Sequence, residues 1–323
     1  MLAGALAGMA VMGLVAWLAL AHSFAAPYGL AVSGGKAKLW YLARGILAAH
    51  FADPAWSVLE PAYPPGHPAL AYGCYAAAGG CGDWLTQLLV CPFAALAAAF
   101  LVARADGLGR KAWAASLFLL PVALMPASQF YPDPIRTLLV LVGWERIRGG
   151  GGLSGWLLLG AAGWFKSEGA VFLVAAWLAW RLVGGGGMAR LRDLAVAAAL
   201  PALGLVGPRL AGARLNGYVA PWAMSPSRGL KALGATLRLA FVRPAALGFA
   251  YPVAVVAALA GWRRTCGCPP PLRAALAFAG ISALAFAAIY ACAAGVDLDW
   301  HLRTSLARLL WTPALVLARE AAE

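Results

Sequence analysis

Residues 2–22 run the thickness of a lipid bilayer without one Asp, Glu, Lys or Arg. A spanning helix needs about 20 mostly apolar residues, and similar runs recur along the chain. Inside hydrocarbon every backbone polar group needs an internal partner, so only helices and closed barrels cross. Barrel strands alternate apolar and polar residues; here runs of Ala, Leu, Val and Gly replace that alternation. The chain is 63% hydrophobic and 11% charged, against about 25% charged in soluble domains. The expected fold is all-α and integral to a membrane, as one polytopic domain over residues 1–323.

About ten transmembrane helices are predicted. The first is 2–22. The others fall near 84–103, 112–128, 135–147, 153–165, 169–183, 193–211, 245–262, 274–293 and 305–318. Ala19-Leu-Ala21 mimics a signal-peptidase site, but no Lys or Arg precedes the run, so an uncleaved helix is expected. Short loops weigh most in the positive-inside rule. Arg104, Arg110, Lys111, Arg146, Arg148, Arg190 and Arg192 lie in or beside such loops and put both termini in the cytoplasm. The external positives concentrate in two long segments, 23–83 and 209–244, which are expected to face an anionic substrate.

The first external segment holds an amphipathic interfacial helix from Lys36 to Phe51, with Leu39, Leu42, Ile46 and Leu47 opposite Lys36, Lys38 and Arg44. Prolines 54, 61, 64, 65 and 68 then forbid a long helix. Cys74 and Cys81 are candidates for a disulfide, and Cys266-Gly-Cys268 reads as a loop. The net charge of +13 is not a nucleic-acid signal, because no Lys/Arg run is interleaved with aromatics. It fits anchoring at the cytoplasmic surface or attraction to anionic lipid phosphates.

Four polar clusters interrupt this apolar chain, all on the predicted external side. Polar groups at membrane depth are costly, so they usually line a site or a water-filled cavity. Lys166-Ser-Glu168-Gly splits the stretch from Leu153 to Val183 into two short helices. Lys166 and Glu168 either pair with each other, or Lys166 meets a phosphate as a point charge while Glu168 orients it. Tyr131-Pro-Asp133-Pro opens a helix. Asp133 sits where an N-cap belongs, with Pro134 at the first helical position; its carboxylate also suits a base or a metal ligand. Tyr63-Pro-Pro-Gly-His67-Pro is a rigid turn. In the fourth cluster His301, Ser305 and Arg308 follow i, i+4, i+7 spacing, one face of a helix, with Arg303 at its edge. The arginines suit bidentate phosphate recognition or interfacial snorkelling.

These pieces, in this order, resemble the GT-C class of polytopic glycosyltransferases, nearest to bacterial relatives of the protein O-mannosyltransferases and of the lipid A aminoarabinose transferase. The matching stretches are Leu39-Trp40-Tyr-Leu-Ala-Arg44, Tyr63-Pro-Pro-Gly-His-Pro, Tyr131-Pro-Asp133-Pro, Gly163-Trp-Phe-Lys166-Ser-Glu168-Gly169 and Trp300-His301-Leu-Arg303-Thr-Ser305-Leu-Ala-Arg308. They cover about residues 27–313. The resemblance implies inverting sugar transfer from a polyprenyl-phosphate donor to an envelope glycan, lipid or protein, at the external or periplasmic face of a bacterial inner membrane. It also implies a carboxylate in the first external loop, about five residues before Trp40. Gly34-Gly35 stand there instead. Asp133, or Asp53 or Glu60, takes over that role, or the chain is an inactive homologue that binds or translocates a polyprenyl lipid. Lys166, Glu168, His301, Arg303, Arg308, Tyr63 and His67 are the expected donor-binding residues. One or two carboxylates suffice for a weakly held Mg²⁺ or Mn²⁺. A solute transporter fits less well, because internal repeats and charges deep in the spans are lacking.

Overall fold

The computed structural model describes residues 1–21, 33–45, 63–129, 131–183, 190–210, 224–263, 269–293 and 297–322. Among them every regular element is helical. The helices are α1 (Leu2–Ala21), α2 (Lys36–Leu42), α3 (Gly66–Ala78), α4 (Asp83–Leu89), α5 (Cys91–Arg104), α6 (Gly107–Leu117), α7 (Pro121–Ser128) and α8 (Asp133–Arg148). They continue with α9 (Leu153–Phe165), α10 (Glu168–Leu182), α11 (Leu191–Leu210), α12 (Pro226–Leu237), α13 (Ala250–Arg263), α14 (Pro270–Ala291), α15 (Leu298–Thr304) and α16 (Leu306–Ala321).

By length and composition, four helical stretches can cross a membrane: α1, α4 with α5, α11 and α14. The pair α6 and α7 makes a fifth if its 50° bend is counted within one span. The other predicted spans form helices near their expected places, and several are short for a membrane crossing. The helix α9 has 13 residues and α8 and α16 have 16 each. At 1.5 Å per residue these are about 20–24 Å long, short of the roughly 30 Å hydrocarbon core. Every residue of α16 from Leu309 to Glu320 is buried, so protein rather than lipid surrounds this helix.

α16 is the central post. It packs against α13, α14, α8 and α7. An aromatic stack fills the space between α8, α10 and α14: Trp144 lies 5.4 Å from Trp180 and 5.3 Å from Phe278, and Phe172 lies 5.8 Å from Phe278 and 5.7 Å from Phe286. Gly4 of α1 approaches Ala99 and Ala103 of α5, while Gly8 approaches Ala95 and Ala99, so the pair is antiparallel.

Two ends of the bundle carry buried charge. At one, Glu145 meets Arg104 at 2.8 Å and Arg319 at 3.1 Å, and Glu320 accepts from Trp144 Nε1 at 2.9 Å. The other end holds Asp133, Lys166 and Arg308. Twelve helical residues separate Asp133 from Glu145, about 18 Å along α8.

Three local expectations change. The helix from Lys36 stops at Leu42 rather than continuing to Phe51, because Arg44 turns left-handed (φ 57°) and Arg44 and Gly45 bond back to the Tyr41 and Trp40 carbonyls. The proline-rich region yields a 13-residue helix, α3, because Pro65 is its N-cap and Pro68 falls in its first turn, where no N–H is needed. Cys74, within α3, and Cys81 are both free thiols. Asp53, Glu60, Cys266 and Cys268 lie outside the described residues.

Candidate functional site

The chain breaks between α9 and α10 at Lys166, which takes an extended conformation (φ −154°, ψ 134°) while Glu168 begins the next helix. The hairpin is tight. A side chain at Gly169 would overlap the Ala162 carbonyl carbon and the Gly163 nitrogen, so only glycine lets α10 fold back on α9 here. The start of α3 is seated on the same corner, where a Cβ on Gly66 would collide with the Trp164 ring and carbonyl. These contacts bring His67 and Lys166 beside the start of α8.

Asp133 is not a cap. Pro132 takes the N-cap position, Asp133 is the first helical residue, and no side-chain capping bond forms. Its carboxylate faces cations instead. Lys166 Nζ donates to both oxygens at 3.1 Å, Arg136 Nη2 approaches Oδ1 at 3.0 Å, and Arg308 Nη1 lies 3.9 Å from Oδ2. Lys166 also meets Glu168 at 3.4 Å. Asp133 precedes the span expected at 135–147. Burial alone would raise its carboxyl, but Lys166, Arg136 and Arg308 outweigh burial and hold it well below the usual carboxylate range.

The supporting contacts come from α16. Arg136 is fully buried; its Nη2 donates to the Arg308 carbonyl and Thr312 Oγ1, each at 3.3 Å, and its guanidinium lies 5.2 Å from the Phe172 ring. Thr137 and Thr312 hydroxyls are 2.8 Å apart. Arg308 stacks on Tyr131 at 4.6 Å and donates to the Thr304 carbonyl and Ser305 hydroxyl. A small, mostly apolar cavity borders this cluster, lined by Ala97, Phe118, Val122 and Trp311 together with Asp133 and Arg308.

On the α3 side, His67 Nδ1 and Ser33 Oγ are 3.0 Å apart and both residues are buried. Burial lowers the His67 pKa to about 3; Asp133 nearby opposes the shift and Lys166 adds to it. The imidazole is therefore neutral at ordinary pH. Lys36 is also buried and donates to the Tyr63 carbonyl at 3.5 Å. Lys38, by contrast, pairs with Asp83 and ties α2 to α4.

The structure thus gathers Asp133, Lys166, Glu168 and Arg308, with His67 beside them. It separates the fourth sequence cluster. Ser305 (φ −114°, ψ −33°) divides α15 from α16, leaving His301 on α15 and Arg308 on α16. His301 packs on Trp300 (4.9 Å) and Tyr290 (6.5 Å). Arg303 is exposed, near Asp299, which itself pairs with Lys231 at 2.8 Å. Asp297 caps α15 by accepting from the Trp300 amide. Arg136, Thr137, Thr312, Ser33 and Lys36 belong to the site region and were not expected there. Arg136 carried a signal: it stands three residues after Asp133, within reach on one helix face.

Among the described residues no group of three or more His, Cys, Asp or Glu is placed to hold a metal. The donor set at Asp133 does not fit Mg²⁺ or Mn²⁺, because a divalent cation there would have to displace the ammonium and guanidinium groups. Comparison with protein-family models, with curated proteins and with solved structures returned no match.

Proposed function

We propose that this protein is a GT-C-type membrane glycosyltransferase that takes a sugar from a polyprenyl-phosphate donor. The observation that carries the reading is the cluster of three cations, Lys166, Arg136 and Arg308, around the buried Asp133 carboxylate. Such a cluster suits an anionic phosphate head group. The ten-crossing arrangement belongs to the same proposal, with the shorter helices α8, α9, α10, α13 and α16 completing the bundle. So does its orientation, with the Lys166 end facing the outside or periplasm of a bacterial inner membrane.

In this reading an acceptor hydroxyl attacks the anomeric carbon from the face opposite the phosphate. The carbon–oxygen bond to phosphate breaks and its electron pair leaves with the phosphate. The hydroxyl proton passes to the Asp133 carboxylate. Lys166 and Arg308 stabilise the charge that grows on the departing phosphate. Glu168 positions the Lys166 ammonium. Neutral His67 and buried Lys36 line the side formed by α2 and α3, together with Tyr63. The acceptor is an envelope glycan, lipid or protein.

The test is a transfer assay on the purified full chain in detergent, with radiolabelled polyprenyl-phosphate sugars and envelope extract, with and without divalent metal. Movement of label to an acceptor, with inversion at the anomeric carbon, is the expected result. Absence of transfer across the donor panel, with saturable lipid binding retained, would replace the enzyme with a lipid-binding or lipid-translocating protein.

A further inference from the structure

We infer that Asp133 stands in for the donor's phosphate in the resting protein, so that donor binding itself releases the catalytic carboxylate. The inference rests on the function proposed above. It implies an order: the donor binds first, and only then can an acceptor be deprotonated.

The three cations around Asp133 are not equivalent. Arg136 is fixed. It is fully buried, lies over Phe172, and its Nη2 holds the Arg308 carbonyl and Thr312 as well as Asp133. Lys166 is adaptable. Its flexible stem leaves from the extended break between α9 and α10, and Glu168 offers a second carboxylate at 3.4 Å. Arg308 is the loosest partner: its Nη1 is 3.9 Å from Asp133, while Nε and Nη2 are engaged by Thr304 and Ser305. Arg308 also lines the small apolar cavity with Asp133. A phosphate arriving beside Asp133 can therefore recruit Lys166 and Arg308 while Asp133 keeps Arg136.

Charge balance agrees. Lys166, Arg136 and Arg308 against Asp133 and Glu168 leave one positive charge in this group of five, and a sugar phosphodiester brings one negative charge. The other groups facing Asp133 are His67 from α3, which is neutral at ordinary pH, and Tyr131 from the preceding turn. A carboxylate beside three cations is a poor base. One that has lost two of them to a phosphate gains basicity.

Two measurements on the full chain in detergent decide this, with farnesyl methyl phosphate, a phosphodiester with one negative charge, as the probe. The first is its affinity for wild type and Asp133→Asn. If the carboxylate competes with phosphate, Asp133→Asn binds the probe more tightly, by about tenfold. If the carboxylate only holds the cations in place, the variant binds equally or more weakly, and the inference is overturned. The second is labelling of Asp133 in wild type by dicyclohexylcarbodiimide, which reacts with protonated carboxyls. Labelling should rise when the probe is bound; unchanged or reduced labelling overturns the inference. This arm decides alone if Asp133→Asn does not fold. Saturable probe binding with either contrary result rejects the inference and leaves the proposed function standing. No probe binding to wild type rejects both.

Discussion

Lys166 and Arg308 reach Asp133, and Arg303 does not. The residue-scale expectation is therefore unequal. Lys166→Ala and Arg308→Ala should each lower transfer by about 100-fold or more, the scale of removing one stabiliser of developing charge. Arg303→Ala should stay close to wild type in the same assay. His67 makes a separate, pH-dependent prediction. Its pKa is about 3 in the folded protein and 6.5 in the ordinary case. The unfolded chain therefore binds the extra proton between those values, and stability falls as pH drops through that window. Thermal unfolding of wild type in detergent should lose midpoint between pH 6.5 and 4. His67→Gln should lose less. The sequence made the polar clusters visible because they interrupt apolar runs. It could not separate Arg303 from Arg308, since spacing does not tell an exposed arginine from one turned toward Asp133. Lys36 was hidden for the opposite reason: its helix is short and buried on that side, so a residue assigned to a polar face points inward.

At the scale of elements, most helices could be read from hydrophobic runs bounded by glycine, proline or charge. The run expected at 193–211 forms Leu191–Leu210, and that at 153–165 forms Leu153–Phe165. The endings were harder, because they depend on backbone conformation at single residues such as Arg44. Length was also informative only in part. Hydropathy does not distinguish a lipid-facing helix from one enclosed by protein, and α16 is enclosed. The hairpin between α9 and α10 offers a direct test of the packing that sets the site. Gly169→Ala places a methyl group against the Ala162 and Gly163 backbone. It should destabilise the protein by about 1–3 kcal/mol and displace Lys166, so unfolding in detergent and transfer should both suffer.

Across the whole molecule, two partly buried ionic layers lie about 18 Å apart. The far layer joins α5, α8 and α16 through Glu145, Glu320, Arg104, Arg148 and Arg319. Breaking a buried pair by removing one partner leaves an uncompensated charge. Glu145→Ala should therefore cost about 3 kcal/mol in an unfolding measurement, without touching the groups around Asp133. The sequence placed Arg104 and Arg148 of this layer at the cytoplasmic side; their pairing with Glu145 and Glu320 depends on helix packing and was not legible. The central claim is that the Asp133 end performs sugar transfer. Its most direct test compares wild type, Asp133→Asn and Arg303→Ala for label transfer from polyprenyl-phosphate sugars. The account predicts transfer by wild type and Arg303→Ala and a loss of about 1,000-fold or more in Asp133→Asn, on the scale of removing a general base together with its charge. Equal transfer by Asp133→Asn and wild type would contradict it.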